Sequence, residues 1–457
     1  MSTWGESGGL FGTDGFGTTW GDEASSGLFP TLQVLVSFVS APLDDPVFWT
    51  DISPYVQGGS SQRGRTSELE QFPAGVATLV LDNSITDGSY RPFDPDDPAS
   101  PFYGTLTTNR RCRIQAVWDG TTYILFDGYI EDWPSDVIPS QDWSEITVTA
   151  TDAFGLFAGR KIRPAKPFTI GDPVLGILDD PSIVIAGVPR FGEQRSGQRI
   201  DRVLDIIGWP EGRRDVDEGL TRLIEHTPPE TASVLDYLQQ IARSEYGRLF
   251  VSADGDITFR QRRAWTRRTA ELVSQVTLSD DPSGSTEFAY EQLKLRPGGR
   301  QNVKNLVVRG VEGGRTFTKT DQASIDSYGL LEDSQTDLLM LVAQEAQDQA
   351  SYVLARFKDS LRTIESVTLN PIGAPAAGLY EHLLGREIGE RITVERSPRP
   401  GVSTSAEFWI EGVAHQFGGD LRWQTTWFLT SVETQQFFTI EDPLLGVLDD
   451  PNVVLAY

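Results

Sequence analysis

Apolar residues recur every second position in several short runs of the chain. In "LQVLVSFVS", Leu32, Val34, Val36 and Phe38 fall on one side of an extended backbone, the period of a half-buried strand. "GVATLVLDN" (75–83), "RCRIQAVW" (111–118), "TTYILFDGYIEDW" (121–133) and "SEITVTATDAF" (144–154) read the same way. Asp119-Gly120 joins two of these runs, and Asp-Gly between alternating segments predicts a tight hairpin. The set predicts an antiparallel β-domain over 31–167, in the form of a small barrel or sandwich.

The period then changes. Ile200, Val203, Leu204 and Ile207 make a helical stripe that stops at Gly208, with Pro210 beyond. Val234, Leu235, Leu238, Ile241 and Ala242 make a second, with Thr231 as the expected N-cap and Gly247 as the stop. A hairpin follows around Asp254-Gly255. These elements predict an α+β insertion over 191–287. Strand patterning returns at 302–314. A long helix is expected at about 336–359, with Met340, Ala343, Gln347, Ala350, Leu354 and Phe357 along one side, and four strands follow within 362–433. A second β-barrel domain, 288–437, accounts for them.

Two nineteen-residue stretches match across this layout. "FTIGDPVLGILDDPSIVIA" (168–186) and "FTIEDPLLGVLDDPNVVLA" (438–456) are identical at thirteen positions. Each carries Asp-Pro twice, which bars helix, because the residue before proline is driven extended and proline lacks a donor. Each is thus an extended apolar strap, over 168–190 and 438–457, that must bury Phe168, Leu175 and Leu178, or Phe438, Leu445 and Leu448, against some surface. Ahead of each strap, a strand leads to a hairpin whose return strand holds a glycine (Gly128, Gly412), and a Thr-rich strand follows. The fold class expected is therefore mainly β with an α+β insertion: two duplicated antiparallel β-barrel domains plus a helix-hairpin module.

Residues 1–30 are Gly-, Ser- and Thr-rich with spaced aromatics. This composition cannot bury enough apolar surface to fold alone. Trp4, Phe11, Trp20 and Phe29 are expected to anchor a flexible N-terminal arm on a neighbour.

Composition narrows the chemistry. The formal charge of −26 over 457 residues argues against holding nucleic acid by counterion release. Like-charge repulsion suits a surface past which DNA must slide without sticking. Cys112 is the single cysteine and the three histidines (His226, His382, His415) are scattered, so neither a disulfide framework nor a thiolate metal site is expected. The start of the chain reads as no secretory signal, and no run approaches the ~20 apolar residues of a membrane helix. Asp94, Asp96 and Asp97 in "FDPDDPAS" offer oxygen ligands without the spacing of a calcium loop, so a proline-stiffened turn is favoured. Trp118, Trp133 and Trp143 cluster near one domain's loops, as packing or interface residues do. Catalytic histidine, serine-elbow and phosphate-loop motifs are absent, so no catalytic residue, cofactor or metal is expected.

The segments "LEQFPAGVATLVLDNSITDGSYRPFDPDDPASPFYG" and "RRCRIQAVWDGTTYILFDGYIEDWP" together resemble minor tail proteins of long-tailed actinobacterial phages. "ASVLDYLQQIARSEYGRLFVSADGDITF" is similar to the module inserted in those proteins, and "RFKDSLRTIESVTLNP" to their second half. The resemblance implies a tail hub related to the baseplate hub of contractile phages. It further implies a homotrimer at the virion tail tip, assembled in the host cytoplasm, in which six pseudo-equivalent barrels match a sixfold ring. Its implied partners are the distal tail ring protein, the tape-measure protein and fibre or tip proteins, with genomic DNA only in transit. Alternatives are a hexameric distal tail ring protein, or a tip protein that binds or hydrolyses cell-wall carbohydrate. Deleting 438–457 is expected to lower the melting temperature or block assembly; thermal unfolding and mass measurement of the truncated chain check this.

Overall fold

A computed structural model describes residues 29–86, 89–134, 142–163, 189–264, 272–282, 287–296, 302–360, 363–371, 378–399, 402–418 and 423–432. The chain opens with strands β1 (Thr31–Val36), β2 (Thr50–Asp51), β3 (Val56–Gly64), β4 (Val76–Asp82), β5 (Arg110–Trp118), β6 (Thr121–Ile130) and β7 (Glu145–Thr151). The alternation seen in the sequence is the burial alternation: Leu32, Val34 and Val36 face the core. Asp119 and Gly120 both take positive φ (46° and 75°), and Trp118 pairs directly with Thr121, so β5 and β6 form the expected two-residue hairpin.

Helix α1 (Ala153–Gly159) follows, capped by Asp152. The inserted module then contributes β8 (Gln194–Arg195), α2 (Ser196–Ile207), β9 (Arg214–Val216), β10 (Arg222–Leu223), α3 (Val234–Glu245), β11 (Arg248–Val251) and β12 (Ile257–Arg260). Helix α2 buries its predicted stripe and ends at Gly208 with φ 71°. Helix α3 starts two residues later than expected. Ser233, not Thr231, caps it, through a reciprocal box in which Asp236 N donates to Ser233 Oγ and Ser233 N to Asp236 Oδ2. Tyr246 rather than Gly247 supplies its left-handed stop, at φ 57°. The three helices and the β11–β12 hairpin share one core, built on Phe154, Phe157, Leu204, Leu238, Phe250 and Phe259.

Strands β13 (Thr277–Ser279), β14 (Glu287–Ala289) and β15 (Gln292–Arg296) return the chain to the main sheet. A separate unit comprises β16 (Leu306–Val311), β17 (Thr316–Thr320), α4 (Gln322–Tyr328), β18 (Glu332–Leu338) and α5 (Ala343–Phe357). The long helix expected from about 336 begins only at Ala343. Residues 332–338 pair in parallel with β16 instead, so Leu338 and Met340 sit in a small core with Ala346 rather than on the helix. Strand β19 (Thr363–Leu369), helix α6 (Leu379–Gly385), β20 (Arg391–Arg399), β21 (Val402–Gly418) and β22 (Trp423–Ser431) complete the described chain.

The two halves pair their strands in matching order. The first runs β2–β1–β5–β6–β7–β4–β3, and the second β14–β13–β20–β21–β22–β19–β15. In each, the first and last strands are adjacent pieces of one bent stretch, broken by residues 52–55 or by 290–291. One difference breaks the match: β1 is antiparallel to both neighbours, whereas β13 is parallel to both of its own. No ladder spans either bend, so pairing among the described residues closes neither circuit into a barrel. Nor are the halves separate sheets. Strand β3 pairs with β4 on one edge and with β21 of the other half on its second, giving one sheet of fourteen strands.

That double pairing explains the composition of β3, "VQGGSSQRG", which has no apolar alternation to announce a strand. Gly64 has φ 84°, and a β-carbon there would lie 2.3 Å from the Glu411 carbonyl. Gly64→Ala is therefore expected to cost of the order of 2–4 kcal/mol, measured as the shift in a chemical denaturation curve.

Candidate functional site: buried carboxylates where three parts meet

Strand β6 carries Asp127 followed by Gly128; β21, its counterpart in strand order, carries Glu411 followed by Gly412. Both carboxylates are fully buried. A buried carboxylate persists only where cations and donors replace its water, and here arginines do so. Arg111 grips Asp127 at 2.7 and 3.1 Å, and Arg113 adds a bond of 2.8 Å from the opposite position of β5. Arg213 reaches in from the inserted module at 3.4 Å, and also donates to Tyr129 Oη (2.8 Å) and to the Gly255 carbonyl (3.2 Å). Its guanidinium lies 4.6 Å from the Trp209 ring centre.

Glu411 sits on the extra residue of a β-bulge, where the β21–β22 register shifts between Ile410 and Gly412. A bulge re-aims its side chain, and this one points Glu411 at arginines from the other two parts. Arg65, from the first half, bonds it at 2.8 Å; Arg248, opening β11 of the module, holds its second oxygen. Burial alone would raise the Glu411 pKa, yet the guanidiniums of Arg248 and Arg65 keep it below the ordinary carboxylate range. A third link joins the same parts: Arg63 bonds Glu387 at 2.8 Å, and Ala253 N donates to the other Glu387 oxygen at 2.9 Å. Nearby Asp152 accepts from Gly75 N and Phe154 N; burial pushes it up to about 7.

Beside this junction opens a cleft of about 460 Å³, lined by Tyr123, Phe250, Asp254, Asp256, Arg386 and Glu390 among others. Burial raises the pKa values of Asp254 and Asp256, and Asp254 raises that of Asp256 further. Structural ion networks and catalytic sites both perturb carboxylates in this way. Among the described residues no group of three or more His, Cys, Asp or Glu is arranged to hold a metal ion.

The residues singled out in the sequence are distributed otherwise. Phe29 is partly buried against the core of the main sheet. Trp4, Phe11, Trp20, Phe168, Leu175, Leu178, Phe438, Leu445 and Leu448 lie outside the described residues. Asp94 and Asp97 accept from the backbone of their own turns, at Asp96, Ala99 and Arg91. Trp133 stacks on Phe93 and Trp118 packs on Tyr380, while Trp143 is exposed. Cys112 is buried and its thiol pKa is pushed up by burial and by Asp127. His226 contacts Glu312 and Tyr237, His382 packs on Phe288, and His415 bonds Thr425, each on a different element.

The fold decides what this architecture can be compared with. The 43 kDa tail protein of prophage MuSo2 from Shewanella oneidensis superposes with a TM-score of 0.53 at 13% identity, over 88% of this chain and 99% of that one. A tail protein from Neisseria meningitidis MC58 does so at 0.52 and 13%, over 88% and 96%. The chain shares their fold. No protein-family profile matches the sequence, and no curated protein does.

The carboxylate pairs were not singled out in the sequence, although a signal existed. "FDGYI" and "IEGVA" place an acid directly before the glycine that marked each return strand. Glu411→Ala is expected to cost roughly 3–5 kcal/mol, because Arg65 and Arg248 lose their partner. Since its folded pKa is depressed, Glu411 contributes fully above the ordinary value of 4.5 and loses that contribution as pH falls through the folded pKa. The gap between wild type and variant in denaturation midpoints should therefore narrow on acidification.

Proposed function

We propose that the chain is a structural protein of a phage tail: a hub at the tail tip, with three copies forming a ring. Its two halves are two copies of one seven-stranded unit, and the inserted module braces them. The observation that carries this reading is the shared strand order of the halves, seven strands each, with a buried carboxylate on β6 and another on β21. The likeness of fold to two tail proteins, one of them from a prophage, supports a tail role. Three chains with two units each present six similar seats, which would match a sixfold tail ring on one side and threefold fibres or a tip on the other. The ring would join the distal tail ring protein to those parts, with the tape-measure protein and then DNA passing through an acidic bore. In this reading its surfaces, rather than catalytic side chains, do the work, and the two straps dock on equivalent faces.

The purified chain should sediment, and fly in native mass spectrometry, as three copies of the 50.5 kDa subunit. Six copies would favour a distal ring, and a single copy at every concentration would refute the hub.

A further inference from the structure

The cleft of about 460 Å³ beside the junction takes its walls from all three parts of the chain. Tyr123 and Ile124 belong to β6 of the first half. Asp254 and Asp256 flank Gly255 in the turn between β11 and β12 of the module, and Arg386 and Glu390 follow α6 of the second half. The Glu387 carboxylate ties two of these walls together, through Arg63 and Ala253 N, so the space is preformed. Its volume lies within the ~300–1,000 Å³ of sites that take small ligands, and such sites favour the boundaries between domains. We propose that this cleft binds a short saccharide, a ligand whose hydroxyl oxygens both donate and accept hydrogen bonds.

Polar groups of both kinds are left over on these walls. Among the described residues, no hydrogen bond or ion pair ends on the carboxylate of Asp254 or of Asp256. Burial raises the pKa of each, as it does for a carboxylate short of donors. Arg386 gives Nη1 to Glu390 at 3.2 Å, while its Nε is buried without an acceptor. The cleft therefore lacks donors for its acids and an acceptor for its arginine.

Charged guests meet only half of that need. An organic cation would satisfy the carboxylates but leave the Arg386 Nε–H unmet, beside a second guanidinium at Arg260. An anion would satisfy Arg386 but face five carboxylates, those of Asp215, Asp254, Asp256, Glu387 and Glu390. A hydroxyl serves both sides. Tyr123 adds an aromatic face for the C–H groups of a sugar ring. Gly385 sits against that ring, where a β-carbon would lie 3.1 Å from Cε1, so no side chain at 385 covers it. Ile124, Leu384 and Ile388 extend the apolar wall.

The full chain is titrated with chitotriose, an acetamido sugar, and with maltotriose, a neutral hexose oligomer. Calorimetry follows binding, and NMR follows the methyl groups of Ile124, Leu384 and Ile388. The expected result is saturable binding of at least one sugar at millimolar concentration, with shifts concentrated at those methyls; the tighter of the two names the sugar class. Asp256→Asn removes one carboxylate, and Arg386→Lys keeps the charge beside Glu390 while deleting the Nε–H. Each should weaken binding about tenfold at an unchanged melting temperature. The methyl shifts locate the site in the wild-type chain even if a variant misfolds. No binding of either sugar at tens of millimolar, shifts confined to other methyls, or unchanged affinity in both folded variants overturns the inference. Shifts caused by spermidine or inorganic phosphate and by neither sugar also overturn it, since the cleft then takes a charged ligand. Oligomeric mass is no part of these readouts, so each result leaves the hub to its own test.

Discussion

Strand β3 is hydrogen-bonded along both edges, to β4 of its own half and to β21 of the other, and this double pairing makes one sheet of what would otherwise be two. An edge strand is a liability in water, and a strand shared by two halves removes one from each. The cost is crowding. Gly59 would place a β-carbon 2.5 Å from the Thr78 carbonyl, and Gly64 one at 2.3 Å from that of Glu411. Only glycine lets three strands approach so closely where they meet, and at Gly64 only glycine takes the required φ without strain.

Around this seam the energetics are polar. Arg63, Arg65, Arg213 and Arg248 leave the first half or the module and end on Glu387, Asp127 and Glu411. Buried ion pairs add little net stability against an apolar alternative, yet removing one partner is severe, so they act chiefly as register marks. Here they specify which face of the module meets which half. The module's own core is apolar, built by α1, α2, α3 and the β11–β12 hairpin, and it borrows Phe154 and Phe157 from the end of the first half. Apolar packing thus attaches the module, and the carboxylates orient it. The consequence is a fixed angle between the two halves.

Strands with one buried face were legible because alternation is a local property. Leu32, Val34 and Val36, the Asp119-Gly120 turn and the stripe of α2 all read correctly without knowledge of neighbours. Where burial is two-sided or absent, the period vanished. The glycine- and serine-rich β3 carries no pattern, β17 and β18 show polar alternation on a peripheral sheet, and residues 336–342 were absorbed into a helix that starts later. The cap of α3 moved from Thr231 to Ser233 because the reciprocal bond with Asp236 needs a three-residue spacing that Thr231 does not have.

The amino-acid order by itself determined the repeat: two matching nineteen-residue stretches, two glycine-marked return strands and two Thr-rich strands, with a helical module between. It also determined the acidity and the scarcity of cysteine and histidine. Only the tertiary structure decided that β3 and β21 join the halves, and that Asp127 and Glu411 are both buried anchors. Pairing between residues some 350 positions apart, such as Gly64 with Gly412, leaves no periodic trace in either strand. The burial of Glu411 depends on arginines supplied by two distant segments, at Arg65 and Arg248, and that convergence exists only once the chain has folded.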